Sequence, residues 1–255
     1  MAYYKIYPIR VGVFENLEVS TLTLLQNQGV KMAAPLIMYL IKGEEHCVLV
    51  DTGGSDETWA AEHHTRIIRP DAEDPIQALK RFGLAPEDIR YVVNTHLHWD
   101  HCFNNDRFPN ARIYVQEKEL EYAENPLPAH YKFYEAPALG FTPKWMLARD
   151  QIVPVTGEYN LLPGIRLVPL PGHTPGFQGV LVDTTQGTYM IASDTIGLIS
   201  NYIGKAPQQR IASGIYCSLA DSYNSLETIY QMADFILPGH DPVVFDHAVY
   251  PYNQV

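Results

Sequence analysis

Thr95-His96-Leu97-His98-Trp99-Asp100-His101 is the stretch on which the reading of this chain turns. Three imidazoles and one carboxylate fall within the six positions from His96 to His101. They follow the apolar run Ile89-Arg90-Tyr91-Val92-Val93. Its β-branched content, closed by Asn94-Thr95, predicts a buried strand that stops at a loop. Imidazole nitrogens and carboxylate oxygens are good ligands for zinc and similar divalent ions. One histidine in such a place would read as an ordinary core or surface residue. Four donor side chains in six positions predict a metal site.

Working outward, other apolar runs end in donors of the same kind. Gly164-Ile165-Arg166-Leu167-Val168-Pro169-Leu170 leads into Pro171-Gly172-His173-Thr174-Pro175-Gly176. A hairpin of strands at 177–183 and 188–192, turning at Thr185-Gln186-Gly187, delivers Ser193-Asp194. Phe235-Ile236-Leu237 ends at Pro238-Gly239-His240. Glycines at strand ends let side chains from distant segments converge at one sheet edge. Seven donors exceed one tetrahedral zinc site and suit two ions sharing a carboxylate. The division expected is His96, His98 and His173 on one ion and Asp100, His101 and His240 on the other. Asp194 is then the bridge, together with a water or hydroxide. Cys47-Val48-Leu49-Val50 also ends in Asp51-Thr52-Gly53-Gly54, which reads equally as a simple turn or as a close backbone approach.

The remaining elements are read more coarsely. A first strand is expected over residues 3–13, a long loop over 15–35 and a second strand over 36–41. Helical spacing covers 56–68, where the adjacent His63 and His64 face different directions and so suit solvated or core roles. A helix over 75–82 has Asp74 as N-cap, Pro75 at its first position and Gly83 past its end. A strand at 111–115 and a polar helix at 117–124 follow. Residues 125–150 are rich in proline and aromatics, a composition suited to a lid, a substrate wall, a homodimer contact or a loop packed on its own rings. Residues 197–216 have no clear period, and Asp221 caps a helix over 222–233. His46, His130 and His247 fall in no metal-ligand spacing, with a structural role expected for His130, and Cys102 reads as a small packed hydrophobe.

The 255 residues suit one large domain or two small ones, and no linker or repeat divides them. A net charge of -11 argues against nucleic acid and other polyanionic partners. No apolar run reaches membrane-spanning length, so no membrane association is expected. The start, Met1-Ala2-Tyr3-Tyr4-Lys5, lacks the pattern of an export signal, and three scattered cysteines fit reduced thiols. A cytoplasmic protein is expected.

The seven donors resemble the signature of the metallo-β-lactamase superfamily, His-x-His-x-Asp-His with downstream His, Asp and His, and every position is filled. Strand-Asp-Thr-Gly at Val50 to Gly53 and Gly-His-Thr-Pro-Gly around His173 are similar as well. The resemblance covers most of the chain. It implies an α+β fold, a four-layer αββα sandwich formed by a single domain over 1–255, with the dinuclear site at one edge between the sheets. Asp51 would then orient ligands. Size and spacing are most similar to the N-acyl-homoserine lactonase group, which implies a small acyl or lactone substrate and quorum-quenching hydrolysis of an ester-type bond. In that reading a hydroxide bridging two divalent ions attacks the carbonyl. The ions would be zinc, with manganese or iron as alternatives, and Asp100 passes a proton to the leaving alkoxide. Two positions depart from the group. Its substrate-holding tyrosine, three residues after the bridging Asp, is Gly197 here, which leaves Tyr202 as the stand-in. Its small residues after the last motif histidine are replaced by Cys102-Phe103-Asn104-Asn105.

Competing readings are a glyoxalase-II-like thioesterase and, outside enzymes, a catalytically silent binding module. The thioesterases add a basic C-terminal domain, whereas fifteen residues follow His240 here. Silent modules commonly lose ligands, and this chain keeps all seven.

Overall fold

Apolar side chains recurring on alternate positions build two sheets that pack face to face. The computed structural model describes residues 3–204 and 209–252. Its strands are β1 (Lys5–Glu18), β2 (Lys31–Lys42), β3 (Cys47–Val50), β4 (Ile67–Ile68), β5 (Tyr91–Val93), β6 (Arg112–Gln116), β7 (Ile152–Val155), β8 (Tyr159–Leu162), β9 (Ile165–Pro169), β10 (Gln178–Thr184), β11 (Gly187–Ser193) and β12 (Phe235–Pro238). The larger sheet runs β4-β1-β2-β3-β5-β6-β7 and the smaller β12-β11-β10-β9-β8.

Between the sheets lie Ile6, Tyr39, Ile41, Val50 and Val93 from one and Leu167, Val180, Val182, Ile191 and Leu237 from the other. The opposite face of the larger sheet, with Leu36, Met38, Leu40 and Leu49, packs on Leu79, Trp99, Phe108 and Trp145. The outer face of the smaller sheet packs Leu181 and Met190 on Leu226 and Ile229 of the helix Leu219–Met232. The layers are therefore helix, sheet, sheet, helix, the α+β sandwich expected. Each buried aliphatic or aromatic side chain contributes roughly 1.5–3 kcal/mol. Among the described residues, no helix is long and apolar enough to cross a membrane.

Strand direction sets where function can sit. β3, β5, β6 and β7 are mutually parallel, as are β11 and β12. Parallel strands bring their carboxyl ends to one edge, and the loops leaving β3, β5, β11 and β12 carry Asp51, His96 to His101, Asp194 and His240. Buried polar contacts tie the sheets together beside that edge. Gln178 donates to the carbonyls of Asn94 (2.9 Å) and Tyr114 (3.0 Å), and Tyr39 to that of Pro238 (2.6 Å).

Several sequence expectations change. The loop expected over 15–35 is shorter, because β1 continues to Glu18 and β2 starts at Lys31. Register shifts between Arg10 and Val13 and between Phe14 and Leu17 break the alternation that would have revealed the strand. The helix in 56–68 stops at His63 and is followed by β4. The last helix begins three residues early: Ser218 is its N-cap and accepts from the Asp221 amide, so Asp221 lies in the first turn. The Asp74 cap, the Pro75 start and Gly83 in the left-handed region are as expected.

Candidate metal centre

Two strained turns aim carboxylates at the sheet edge. Asp51, leaving β3, has φ 60°, and Ser193, ending β11, has φ 44°. Non-glycine residues in this region are costly and persist where surrounding contacts hold them. The turn at Ser193 sends Asp194 back over the strand ends. There it sits against Gly239, where a Cβ would lie 2.7 Å from Asp194 Oδ1. Gly239 is thus a requirement of close approach. The Gly239 and His240 amides donate to the carbonyls of Ile196 and Gly197, which locks the two ligand loops together.

The seven donors converge. Asp194 Oδ1 lies 3.1 Å from His240 Nε2 and 3.3 Å from His101 Nε2, while its Oδ2 lies 3.5 Å from His173 Nε2. His173 Nε2 and His98 Nδ1 are 3.2 Å apart. Asp100 Oδ2 is 3.5 Å from His101 Nε2 and 3.8 Å from His240 Nε2. Three groups have donor atoms close enough to share an ion: His96, His98 and His173; Asp100, His101 and His240; and His96, His101 and Asp194. The first two groups are the expected division, and Asp194 stands between them.

The donor set fits divalent ions on its own chemistry. Nε2 of His96 and Nε2 of His101 are buried without a hydrogen-bond partner, which is costly unless something else binds them. The opposite nitrogens are held. His101 Nδ1 meets Asp51 Oδ2 at 2.8 Å, His240 Nδ1 the Pro35 carbonyl at 2.9 Å and His173 Nδ1 the Ile215 carbonyl at 2.8 Å. Such partners fix the tautomer and turn the free nitrogen inward. Asp51 also accepts from the Thr95 amide and hydroxyl, and that hydroxyl lies 3.1 Å from His96 Nδ1.

Electrostatics divide the cluster. Burial, reinforced by neighbouring imidazoles, holds His96 and His98 well below the usual histidine range, and burial lowers His173. That direction favours the neutral imidazole, the form that donates a lone pair to a metal. For His101 and His240 burial pulls the same way, but carboxylates, Asp194 first, outweigh it and raise both. Asp194 is held well below the carboxylate range, because His240 and His101 outweigh its burial.

Over the cluster opens a cavity of about 70 Å³, lined by Asp100, Asp194 and ligand histidines below and by Phe14, Leu17, Leu22, Phe133 and Ile215 above. Asp100 lines this cavity. Tyr202 does not: it lies on the helix Ile199–Ile203, packed on the outer apolar cluster, with Arg210 5.8 Å over its ring. At Gly197 itself a Cβ would come 3.1 Å from Leu22 Cδ2. Leu22 fills the space a side chain at 197 would enter.

The sequence reading missed Phe14, Leu17 and Leu22, because Phe14 falls just past the expected strand and the other two lie in the stretch read as loop. Ile215, in an aperiodic stretch, left no signal either. Of the aromatic segment 125–150, Phe133 reaches the cavity wall and packs on His98 with ring centroids 5.1 Å apart. Phe141 instead packs on Trp59 and His63, and Trp145 is buried in the core. His64 takes a core role, stacked on Trp99 and 2.9 Å from Glu135. His130 lies 2.9 Å from the Tyr122 hydroxyl.

Comparisons with known proteins agree with this geometry. Residues 38–245 match the family model of the metallo-beta-lactamase superfamily. An N-acyl homoserine lactonase of Bacillus sp is 28% identical over 232 residues, covering 87% of this chain and 86% of its own. The N-acyl homoserine lactonase AttM of Azorhizobium caulinodans is 26% identical over 260 residues, covering 93% of each chain. A solved N-acyl homoserine lactone hydrolase, with the product N-hexanoyl-L-homoserine bound at its catalytic metal centre, superposes with a TM-score of 0.78 at 25% identity over 99% of both chains.

Proposed function

The chain belongs to the metallo-β-lactamase superfamily, and on that premise we propose that it is a dinuclear metal-dependent hydrolase that opens lactones, N-acyl homoserine lactones first. The observation that carries the reading is Asp194, whose two oxygens face His101 and His240 on one side and His173 on the other, under an apolar cavity. The lactonases of similar length and the product-bound neighbour support the substrate class.

His96, His98 and His173 would hold one ion, Asp100, His101 and His240 the other, and Asp194 both. Zinc is the first choice for imidazole and carboxylate donors, with manganese or iron as alternatives. When bound, two such ions polarise an ester carbonyl and lower the pKa of water between them. The residues do the rest. Phe14, Leu17, Leu22, Phe133 and Ile215 hold the acyl chain and exclude water. Asp100 lines the cavity and can carry a proton to the leaving alkoxide. The net charge of -11 disfavours a nucleic-acid substrate.

The test is hydrolysis by zinc-loaded protein of N-hexanoyl homoserine lactone, a thioester and a phosphodiester, followed by proton release. Lactone turnover with kcat/KM of about 10⁴ M⁻¹s⁻¹ or more is expected. Background lactone turnover beside efficient cleavage of another ester would leave a metal-dependent hydrolase of different substrate class.

A further inference from the structure

One fully buried carboxylate outside the donor set touches three segments that shape the centre. Glu119 lies in the helix Glu117–Glu124 and has no exposed surface. Its Oε1 accepts from the Leu97 amide (3.0 Å) and the Tyr134 hydroxyl (2.7 Å), and its Oε2 from the Thr174 hydroxyl (2.5 Å). The Gly176 amide donates to it as well. Gly176 is glycine for a steric reason: a Cβ there would meet the Glu119 backbone nitrogen at 2.0 Å.

The placement of these donors is selective. Leu97 separates His96 from His98, Thr174 follows His173, and Tyr134 packs edge-on against the His98 ring with centroids 4.7 Å apart. Every ligand of the three-histidine group therefore has a neighbour, in sequence or in space, bonded to Glu119. None of these donors is next in sequence to His101, Asp194 or His240. Those are backed by Asp51 and by the Pro35 carbonyl.

We infer that Glu119 is a positioning residue for one half of the metal centre, fixing His96, His98 and His173 for their ion while leaving the Asp100, His101 and His240 ion to other supports. This rests on the dinuclear reading above. A carboxylate is needed because its two oxygens together can accept from all of these donors. An amide offers one acceptor oxygen and turns an N–H₂ toward the other donors. Burying a carboxylate without a cation is costly, so its retention beside a metal centre calls for a return, and ligand geometry supplies one. Phe133, next to Tyr134, ties the same support to the cavity wall.

The experiment is titration of the metal-free full chain with cobalt(II) alone, reading d–d absorption, chelator competition and hyperfine-shifted imidazole N–H protons. Wild type is expected to take two equivalents. Glu119→Gln should keep one at wild-type affinity and weaken the other about 10–100-fold, the usual cost of losing a support behind a ligand. The retained ion should shift the N–H protons of His101 and His240. Thr174→Val and Tyr134→Phe, each deleting one donor, should weaken the same ion by less, and they carry the test if Glu119→Gln does not fold. Two equivalents of wild-type affinity in all the folded variants, or equal weakening of both ions, would overturn the assignment to Glu119. A wild type that saturates at one equivalent would instead overturn the dinuclear reading.

Discussion

The floor and the wall of the cavity are built differently. The floor is made of candidate donors at strand ends, and the inward-facing nitrogen of His101, His173 and His240 has a counterpart pinned by a carboxylate or carbonyl. The wall is made of Phe14 and Leu17 from the end of a shifted strand, Leu22 from a turn, Phe133 from a one-turn helix and Ile215 from irregular chain. Floor residues are held by directional bonds on rigid elements, whereas wall residues are held by apolar contact on connecting segments. Reaction chemistry should therefore tolerate little change, and substrate preference a good deal.

The largest expected effect is on the floor. Asp194→Asn keeps the shape of the side chain but removes the charge that faces three histidines. Its affinity for the paired ions should fall by more than the ~10–100-fold typical of losing a partner behind a ligand, with hydrolysis falling alongside. Metal content per chain, measured beside kcat/KM, checks this. Two tightly held ions in the variant would remove Asp194 from the bridging role. Gly239→Ala should act in the same direction by a smaller amount. Its new methyl group would press on Asp194 Oδ1 at 2.7 Å and on the Ser193 backbone at 2.8 Å. An overpacked site of this kind costs about 1–3 kcal/mol, read as lower metal affinity or a lower melting temperature.

The wall should respond in another parameter. Leu22→Ala opens the space beside Gly197 and removes apolar contact, at about 0.8 kcal/mol per methylene. KM for long-chain acyl lactones should rise by roughly tenfold, since 1.4 kcal/mol is a factor of ten. Metal content should stay at the wild-type value. A variant that lost metal instead would place Leu22 among the supports of the floor and erase the distinction.

The same contrast explains what could be read from the chain. Floor residues come in short motifs at the ends of apolar strands, so both spacing and residue type announce them. The sheets were legible for the same reason, through runs such as Val48-Leu49-Val50 and Val180-Leu181-Val182. β7 and β8 were not, because Pro154 lies inside one of these short strands and both carry exposed positions at a sheet edge. The wall was hidden by register shifts in β1 and by the lack of any period around Ile215. Glu119 was hidden more deeply: in a polar helix it looks like a solvated residue, and only tertiary contact reveals four donors around it. Asp51 could be read as a turn or as a support, and its bond to His101 decides for the support.

The smallest expected effect belongs to Tyr202, the residue the sequence nominated to hold a substrate carbonyl. Losing a donor that stabilises a developing oxyanion typically costs about 10²–10³ in rate. If Tyr202 had that role, Tyr202→Phe would lose this much. Its ring lies instead on the outer layer, under Arg210 and 6.4 Å from the Tyr230 ring, and does not line the cavity. Burial raises its phenol above the ordinary tyrosine range, with Arg210 opposing, as expected of a hydroxyl held among packed rings. Tyr202→Phe should therefore leave kcat and KM for lactones within about twofold, because surface-layer changes that spare packing shift stability by no more than ~0.5 kcal/mol. Steady-state kinetics on two acyl-chain lengths are sufficient to check it. A hundredfold loss of kcat with normal metal content would mean that this helix swings over the site when substrate binds, making the wall a moving part.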